Sequence, residues 1–186
     1  MRIVGGSWRG RRLRFAESMG LRPTPDRVRE TLFNWLHGRV AGSRCLDLFA
    51  GSGALGLEAL SRGAVDVVFV ERDTLTARAL AERLAEWQAV GARVVCRDAR
   101  RFLEGAPQSF DIVFLDPPFG GPLLGETAAR LHAGGWLVPG GLVYLECAAR
   151  EGLPPLPVDW QCLRSGRAGE VGYHLFANTP SGALSE

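Results

Sequence analysis

Lysine is missing from this chain: all 22 of its basic side chains are arginine, so the lysine enrichment usual in hyperthermophiles is absent. Also lacking is any run near the ~18 consecutive apolar residues that a membrane-spanning helix needs, and the first residues show none of the basic, apolar and small-residue regions of a secretory leader. A cytoplasmic protein with no membrane partner is therefore expected. Cys45, Cys96, Cys147 and Cys162 lie far apart, with no C-x-x-C pair and no histidine at ligand spacing, so neither a zinc site nor a disulfide framework is indicated. Four buried, reduced thiols are expected instead, and with His37, His132 and His174 equally scattered, no metal. There is no internal repeat and no low-complexity tract. What is present is about one domain's length, 186 residues of ordinary globular composition, enough to bury a core without staples.

The net charge of +2 hides an asymmetry. Residues 1–44 carry ten arginines against Glu17, Asp26 and Glu30, a balance of +7, while the remainder carries -5. A basic front of this kind suits a polyanionic partner, and Arg9, Arg11, Arg12, Arg14, Arg22 and Arg29 are its candidate phosphate contacts.

Residues 1–21 form the first unit of the expected organisation. Short apolar pieces, Ile3-Val4 and Leu13-Arg14-Phe15, flank Gly5 to Arg12, which predicts a hairpin with a basic, glycine-rich tip; a mobile arm is the rival. Residues 22–186 form the second. Thr24-Pro25 reads as a helix start, Thr24 capping and Pro25 in the first turn, and Val28, Leu32, Trp35 and Leu36 give that helix one apolar face. From Cys45 the pattern alternates strand and helix, the signature of an α/β, doubly wound sheet. Strands are predicted over 44–49, 65–70, 93–96, 110–115 and 141–146, and helices over 54–62, 75–87, 99–103 and 123–133. A proline-rich link, 153–157, leads to two more strands, 160–165 and 171–177, joined through Gly166 to Gly169 as a closing antiparallel hairpin.

Two strand ends carry chemistry. The first runs Asp47-Leu48-Phe49-Ala50-Gly51-Ser52-Gly53, between strand and helix, where glycines let the backbone turn sharply and approach a ligand. Gly56 completes G-x-G-x-x-G, weak evidence alone. Glu71 ends the next strand, where a carboxylate can accept both ribose hydroxyls. Together these fit a dinucleotide or an adenosine-containing cofactor. Asp47 tips the choice: an acid here is poorly suited to a pyrophosphate but can hold a positive group, and S-adenosylmethionine carries an ammonium and a sulfonium and no phosphate. Asp98 can accept from an adenine amine, cap the short helix that follows it, or do both.

The second strand end is Asp116-Pro117-Pro118-Phe119, directly after the apolar run 110–115. The exocyclic amine of a nucleobase is a poor nucleophile because its lone pair is delocalised into the ring. If the Asp116 carboxylate and the Pro117 carbonyl accept its two hydrogens, the lone pair is turned toward a methyl donor. The two prolines stiffen the loop and remove competing N–H donors, and Phe119 can stack on the base.

With these residues in place the chain resembles class I S-adenosylmethionine-dependent methyltransferases, and within them the bacterial 16S rRNA guanine-N2 methyltransferases of the RsmD type. The most specific segments are 2–11, 22–34, Asp47 to Glu58 and Asp116 to Phe119. The resemblance implies a Rossmann-like methyltransferase sheet of seven strands, the last antiparallel, with an N-terminal hairpin and helix. It implies methylation of a guanine of 16S rRNA in the small ribosomal subunit, with S-adenosylhomocysteine as the other product; a monomer is expected. By position it places Asp47, Gly51, Ser52 and Gly53 around the methionine part, Glu71 at the ribose, Asp98 and Ala99 near adenine, and Asp116, Pro117, Pro118 and Phe119 at the target amine; Phe49 and Arg72 are further cofactor-binding candidates. Three rivals remain at this stage: an adenine-N6 DNA methyltransferase, which uses the same amine chemistry; a nicotinamide oxidoreductase, permitted by the glycines and Glu71; and a catalytically silent ribosome-assembly factor.

Overall fold

The computed structural model describes residues 1–13 and 25–179. Seven strands form one sheet: β1 (Arg44–Asp47), β2 (Asp66–Glu71), β3 (Ala92–Cys96), β4 (Phe110–Leu115), β5 (Leu137–Ala148), β6 (Trp160–Ala168) and β7 (Val171–Asn178). Their spatial order is β3-β2-β1-β4-β5-β7-β6. The first five run parallel, and β7 is antiparallel to both of its neighbours, so the expected seven-stranded sheet with a reversed last strand is observed. Buried parallel strands need apolar residues on both faces, which is why 67–70 and 112–115 read as apolar runs; Asp111, half-buried at the start of β4, accepts from the Arg44 amide at 2.8 Å. Helices α1 (Asp26–Trp35), α2 (Ala54–Ser61) and α3 (Thr74–Glu86) share one apolar core with one face of the sheet. Helices α4 (Ala99–Phe102) and α5 (Leu123–Ala133) share another with the opposite face. No described helix is long and apolar enough to cross a membrane.

The hairpin forms. Arg2 and Arg12 bridge antiparallel, the Ile3 amide donates to the Arg11 carbonyl at 3.0 Å and that of Gly10 to Ile3 at 2.9 Å. Ile3 and Leu13 are buried in the core shared with α1 and α2, so the chain is anchored here rather than a mobile arm. Helix α2 is apolar on nearly every side and buried along its whole length, as suits a helix covered by the sheet on one side and the hairpin on the other. Its one acid, Glu58, cannot stay buried without partners. It takes the Val4 and Gly5 amides at 2.9 and 2.8 Å and the Arg62 guanidinium at 2.9 Å, so it is the joint between hairpin and helix.

Arg29 belongs to the same joint, and this corrects its assignment as a phosphate contact. It is fully buried, donates to the Arg2 carbonyl and to Asp26, and lies 3.8 Å from Glu58; no RNA phosphate reaches it there. Arg14, Arg22 and Thr24 lie outside the described residues. Helix α1 begins at Asp26 with Pro25 as its cap residue, one position later than expected. Strand β6 runs to Ala168, so the closing turn sits at Gly169-Glu170 instead of spanning 166–169. Gly166 is a strand glycine, because a Cβ there would lie 2.3 Å from the Tyr173 ring. The thiols are also corrected: Cys45 and Cys147, on inner strands, are buried, but Cys96 and Cys162 are exposed because β3 and β6 are the two edges of the sheet.

The third glycine of G-x-G-x-x-G packs rather than binds. A Cβ on Gly56 would stand 2.2 Å from the Phe69 ring on β2. Gly56→Ala therefore has to push helix and strand apart, and is expected to destabilise the protein by about 1–3 kcal/mol, measured as a shift of the urea midpoint at unchanged slope; an unchanged midpoint would show that this contact yields freely.

Candidate active site

The strand order reverses direction between β1 and β4, the place in an open α/β sheet where a crevice opens at the carboxyl edge. Both sequence-predicted loops leave the sheet there. Asp47 ends β1 and is level with Phe114 on β4, so Asp116 lies two residues further on, just past the end of the neighbouring strand. Strand rise and spacing put the two Cα atoms about 8 Å apart, with both side chains on the same face.

On the β1 side, Gly53 caps α2 in the left-handed region at φ 79°, and a Cβ there would lie 2.5 Å from Leu80 of α3; Gly51 turns with φ 50°. These two glycines fold the loop flat over the strand end. The Gly51 amide donates to Glu71 Oε2 at 2.8 Å and the Asp73 amide to Oε1 at 2.8 Å. The Glu71 carbonyl accepts from the Arg97 amide at 2.9 Å. One residue thus ties together the exits of β1, β2 and β3. Each of its carboxylate oxygens has a second lone pair, and the side chain is half-buried, so it can still accept ribose hydroxyls. Arg83 of α3 donates to the Ser52 carbonyl at 3.3 Å, fixing the loop from the other side. Arg72 is exposed beside Glu71, and Phe49 is half-buried in the loop.

Asp47 is the unusual group. It is almost wholly buried and its Oδ2 accepts from the Gly56 amide at 3.0 Å. Among the described residues no ion pair includes it. Burial pushes its pKa up to about 7, against the pull of the Gly56 amide, with the negative Glu71 adding to the rise. A buried carboxylate in this state fits a positively charged ligand group and repels a phosphate, so the residues present fit S-adenosylmethionine better than a dinucleotide.

Asp98 caps α4: its side chain accepts from the Arg100 amide at 2.9 Å, and the Arg100 side chain with that amide holds its pKa low. The capping reading is thereby observed, and Ala99 is buried behind it. On the β4 side Asp116 is half-buried, Pro117 buried, Pro118 exposed and Phe119 40% exposed, so the aromatic ring is open to an incoming base.

A pair that sequence reasoning missed lies next to this loop. The Tyr144 hydroxyl donates to Glu146 Oε1 at 2.7 Å, both buried on β5. Burial first, then the negative Glu146 and Asp116, push the phenol well above its ordinary pKa. Period-two alternation puts 144 and 146 on one face, which was the available signal.

The arginine-rich tip is elsewhere. The Ser7 amide donates to the Ser61 carbonyl at 2.7 Å and the Trp8 amide to Ser61 Oγ at 2.9 Å. The Trp8 ring meets Trp87 at 5.2 Å, and the Arg11 guanidinium lies over both rings. Ser61 and Trp87 stand at the far ends of α2 and α3, at the amino edge of the sheet, so Arg11 lies about 20 Å, the length of the 13-residue α3, from the crevice. Arg9, Arg11 and Arg12 are exposed, but they are not brought together with Asp116.

Among the described residues no group of three or more His, Cys, Asp or Glu is placed to hold a metal ion. The strand order, the single reversed strand and the two loops at the switch point define a class I methyltransferase. The model of a family described as conserved hypothetical protein 95 matches residues 1–177. Ribosomal RNA small subunit methyltransferase D of Escherichia coli K12 is 48% identical over 182 residues, 98% of this chain and 92% of its own length. The protein of the same name in Haemophilus influenzae is 44% identical, covering 96% of this chain and 94% of its own length. The chain belongs to this family, the RsmD-type methyltransferases. The solved structure of Escherichia coli yhhF superposes with a TM-score of 0.90 at 45% identity, over 96% of this chain and 98% of that one. An RNA methyltransferase of Salinibacter ruber solved with S-adenosyl-L-homocysteine shares the fold, with a TM-score of 0.64 at 17% identity over 89% of this chain and all of that one.

Proposed function

We propose that this protein transfers the methyl group of S-adenosylmethionine to the exocyclic N2 amine of a guanine in 16S rRNA of the small ribosomal subunit. The observation that carries the reading is the convergence of the proline-stiffened Asp116 loop and the buried, uncompensated Asp47 at one switch point. The names of the relatives support small-subunit rRNA as the substrate and favour it over duplex DNA; the choice of guanine N2 rests on the resemblance and on the amine-orienting loop. A nicotinamide cofactor suits the buried acid poorly, and a silent assembly factor would leave the Asp116 loop without a task.

When bound, S-adenosylmethionine supplies a methyl group on a positively charged sulfur. Asp47 holds the ammonium, and Glu71 takes the ribose hydroxyls. The Gly51 to Gly53 turn lets the backbone close on the methionine part, and Ala99 with Asp98 lines the adenine end. Asp116 and the Pro117 carbonyl accept the two hydrogens of the target amine, which directs its lone pair along the line of displacement. Phe119 stacks on the base and fixes its plane, adding on the order of 1–3 kcal/mol. The proton released as nitrogen gains carbon lies against the Asp116 carboxylate.

Purified small subunits lacking the modification, incubated with protein and methyl-labelled cofactor and digested to nucleosides, are expected to yield label in N2-methylguanosine. Label in N6-methyladenosine, or incorporation into duplex DNA with none into subunits, would overturn the assignment.

A further inference from the structure

Hairpin arginines lie at the wrong edge of the sheet to hold RNA beside the transferring amine, and another set lies at the right one. Arg72 follows β2, Arg97 follows β3 and Arg101 stands in α4. All three are exposed. The Arg97 amide donates to the Glu71 carbonyl, which sets Arg72 and Arg97 on adjoining strand exits. Strand spacing puts these exits about 10 and 15 Å from the end of β4, where Asp116 begins its loop.

Some exposed arginines are matched to acids: Arg78 to Glu82 and Arg130 to Glu104 away from this rim, and Arg100 to Asp98 and Glu126 on it. Among the described residues no ion pair includes Arg72, Arg97 or Arg101. The acids of the same rim have other tasks. Glu71 accepts from the Gly51 and Asp73 amides, Asp73 caps α3 through Thr76, and Asp98 caps α4. Three guanidinium groups are therefore left facing solvent along one edge of the crevice, a spacing and chemistry that suit successive phosphates of a single RNA strand.

We infer that the rRNA strand flanking the target guanine runs along this rim, over the adenosine end of the cofactor site, with Arg72, Arg97 and Arg101 as its phosphate contacts. The inference rests on the proposed function and deepens it: the basic front of the sequence is not the surface that positions the substrate at the reacting atoms. A guanine splayed from a loop enters from the Phe119 side while its neighbours track toward β3.

The test uses the full chain with Arg97→Gln and Arg101→Gln combined, and Arg9→Gln with Arg12→Gln as the hairpin counterpart. Cofactor affinity is read by calorimetry, and affinity for small subunits across a salt series. For the rim variant, unchanged cofactor affinity is expected, with roughly tenfold weaker subunit binding at about 0.1 M salt and a slope of log affinity against log salt shallower by between about one and two. The hairpin variant is expected to lose less. Subunit affinity and salt slope equal to wild type in the rim variant, a loss confined to the cofactor, or a larger loss in the hairpin variant would overturn the rim. Failure of the wild-type protein to methylate subunits at all would instead remove the proposed function.

Discussion

Replacing Asp116 by alanine is expected to reduce methyl transfer to small subunits about a thousandfold or more while cofactor affinity stays within about threefold of wild type, because in the proposed mechanism the carboxylate acts on the amine in the transition state and not on the cofactor. The side chain follows the end of β4 at the switch point, half-buried, on a loop that Pro117 and Pro118 keep from relaxing. Removing it leaves the amine lone pair conjugated with the ring, so the barrier rises at the chemical step. The expected signature is a fall in kcat with KM for subunits little changed, since binding drawn from phosphate contacts and from Phe119 is untouched. Single-turnover rates with saturating cofactor measure this directly. Asp116→Asn separates charge from hydrogen bonding: its amide oxygen still accepts one amine hydrogen, so it should retain more activity than the alanine variant but far less than wild type. Near-normal turnover in the alanine variant would show that the amine is oriented by something else.

Much of this site could be read from residue order because its parts are local. A run such as Ile112 to Leu115 is apolar throughout only when both faces of a strand are covered, and the residues just after such runs fall by construction at the carboxyl edge. That rule puts Glu71, Asp47 and Asp116 at this edge, and the glycine turn and the Asp-Pro-Pro-Phe motif single them out there. What residue order did not yield depends on contacts between distant segments. Arg29 was counted with the basic front because it is charged, yet it lies three and four positions before Leu32 and Phe33 on the buried face of α1. Helical periodicity already marked it as inward, and Glu58, the lone acid in the apolar α2, marked the need for a buried cation. The position of the hairpin tip had no such signal, since its docking on Ser61 and Trp87 pairs segments more than 50 residues apart. The exposed thiols follow the same logic: whether a strand is central or at an edge is a property of topology, and Cys96 and Cys162 sit on strands whose residues alone do not announce an edge.

Asp47→Asn should weaken cofactor binding while making the ligand-free protein more stable at neutral and alkaline pH. In the ligand-free protein the carboxylate is buried, with the Gly56 amide at 3.0 Å its one hydrogen-bond donor among the described residues, and burial raises its pKa from 3.8 to about 7. A raised folded-state pKa means that folding favours the protonated acid. The stability it contributes is fully present below the unfolded value near 4 and is lost as pH rises through about 7, leaving a penalty on the order of a few kcal/mol in the ionised state. Asparagine keeps an acceptor for the Gly56 amide and never ionises. Its thermal midpoint should therefore match wild type near pH 4 and exceed it by several degrees at pH 8, at roughly 2–4 °C per kcal/mol for a chain of this size. Binding reverses the preference. A cofactor ammonium against the ionised carboxylate forms a buried pair, and losing one partner of such a pair costs about 3–5 kcal/mol, so the variant's affinity is expected to fall on the order of a hundredfold or more. Wild-type affinity should itself decline as pH drops below about 7, where Asp47 must give up a proton to receive the cation, whereas the variant's should stay flat. Calorimetry in buffers of differing ionisation enthalpy measures that proton directly, with up to one released per cofactor bound at pH 6 and none in the variant. A wild-type protein that binds cofactor equally well at pH 6 and pH 8 without releasing a proton would show that Asp47 does not face the positive charge.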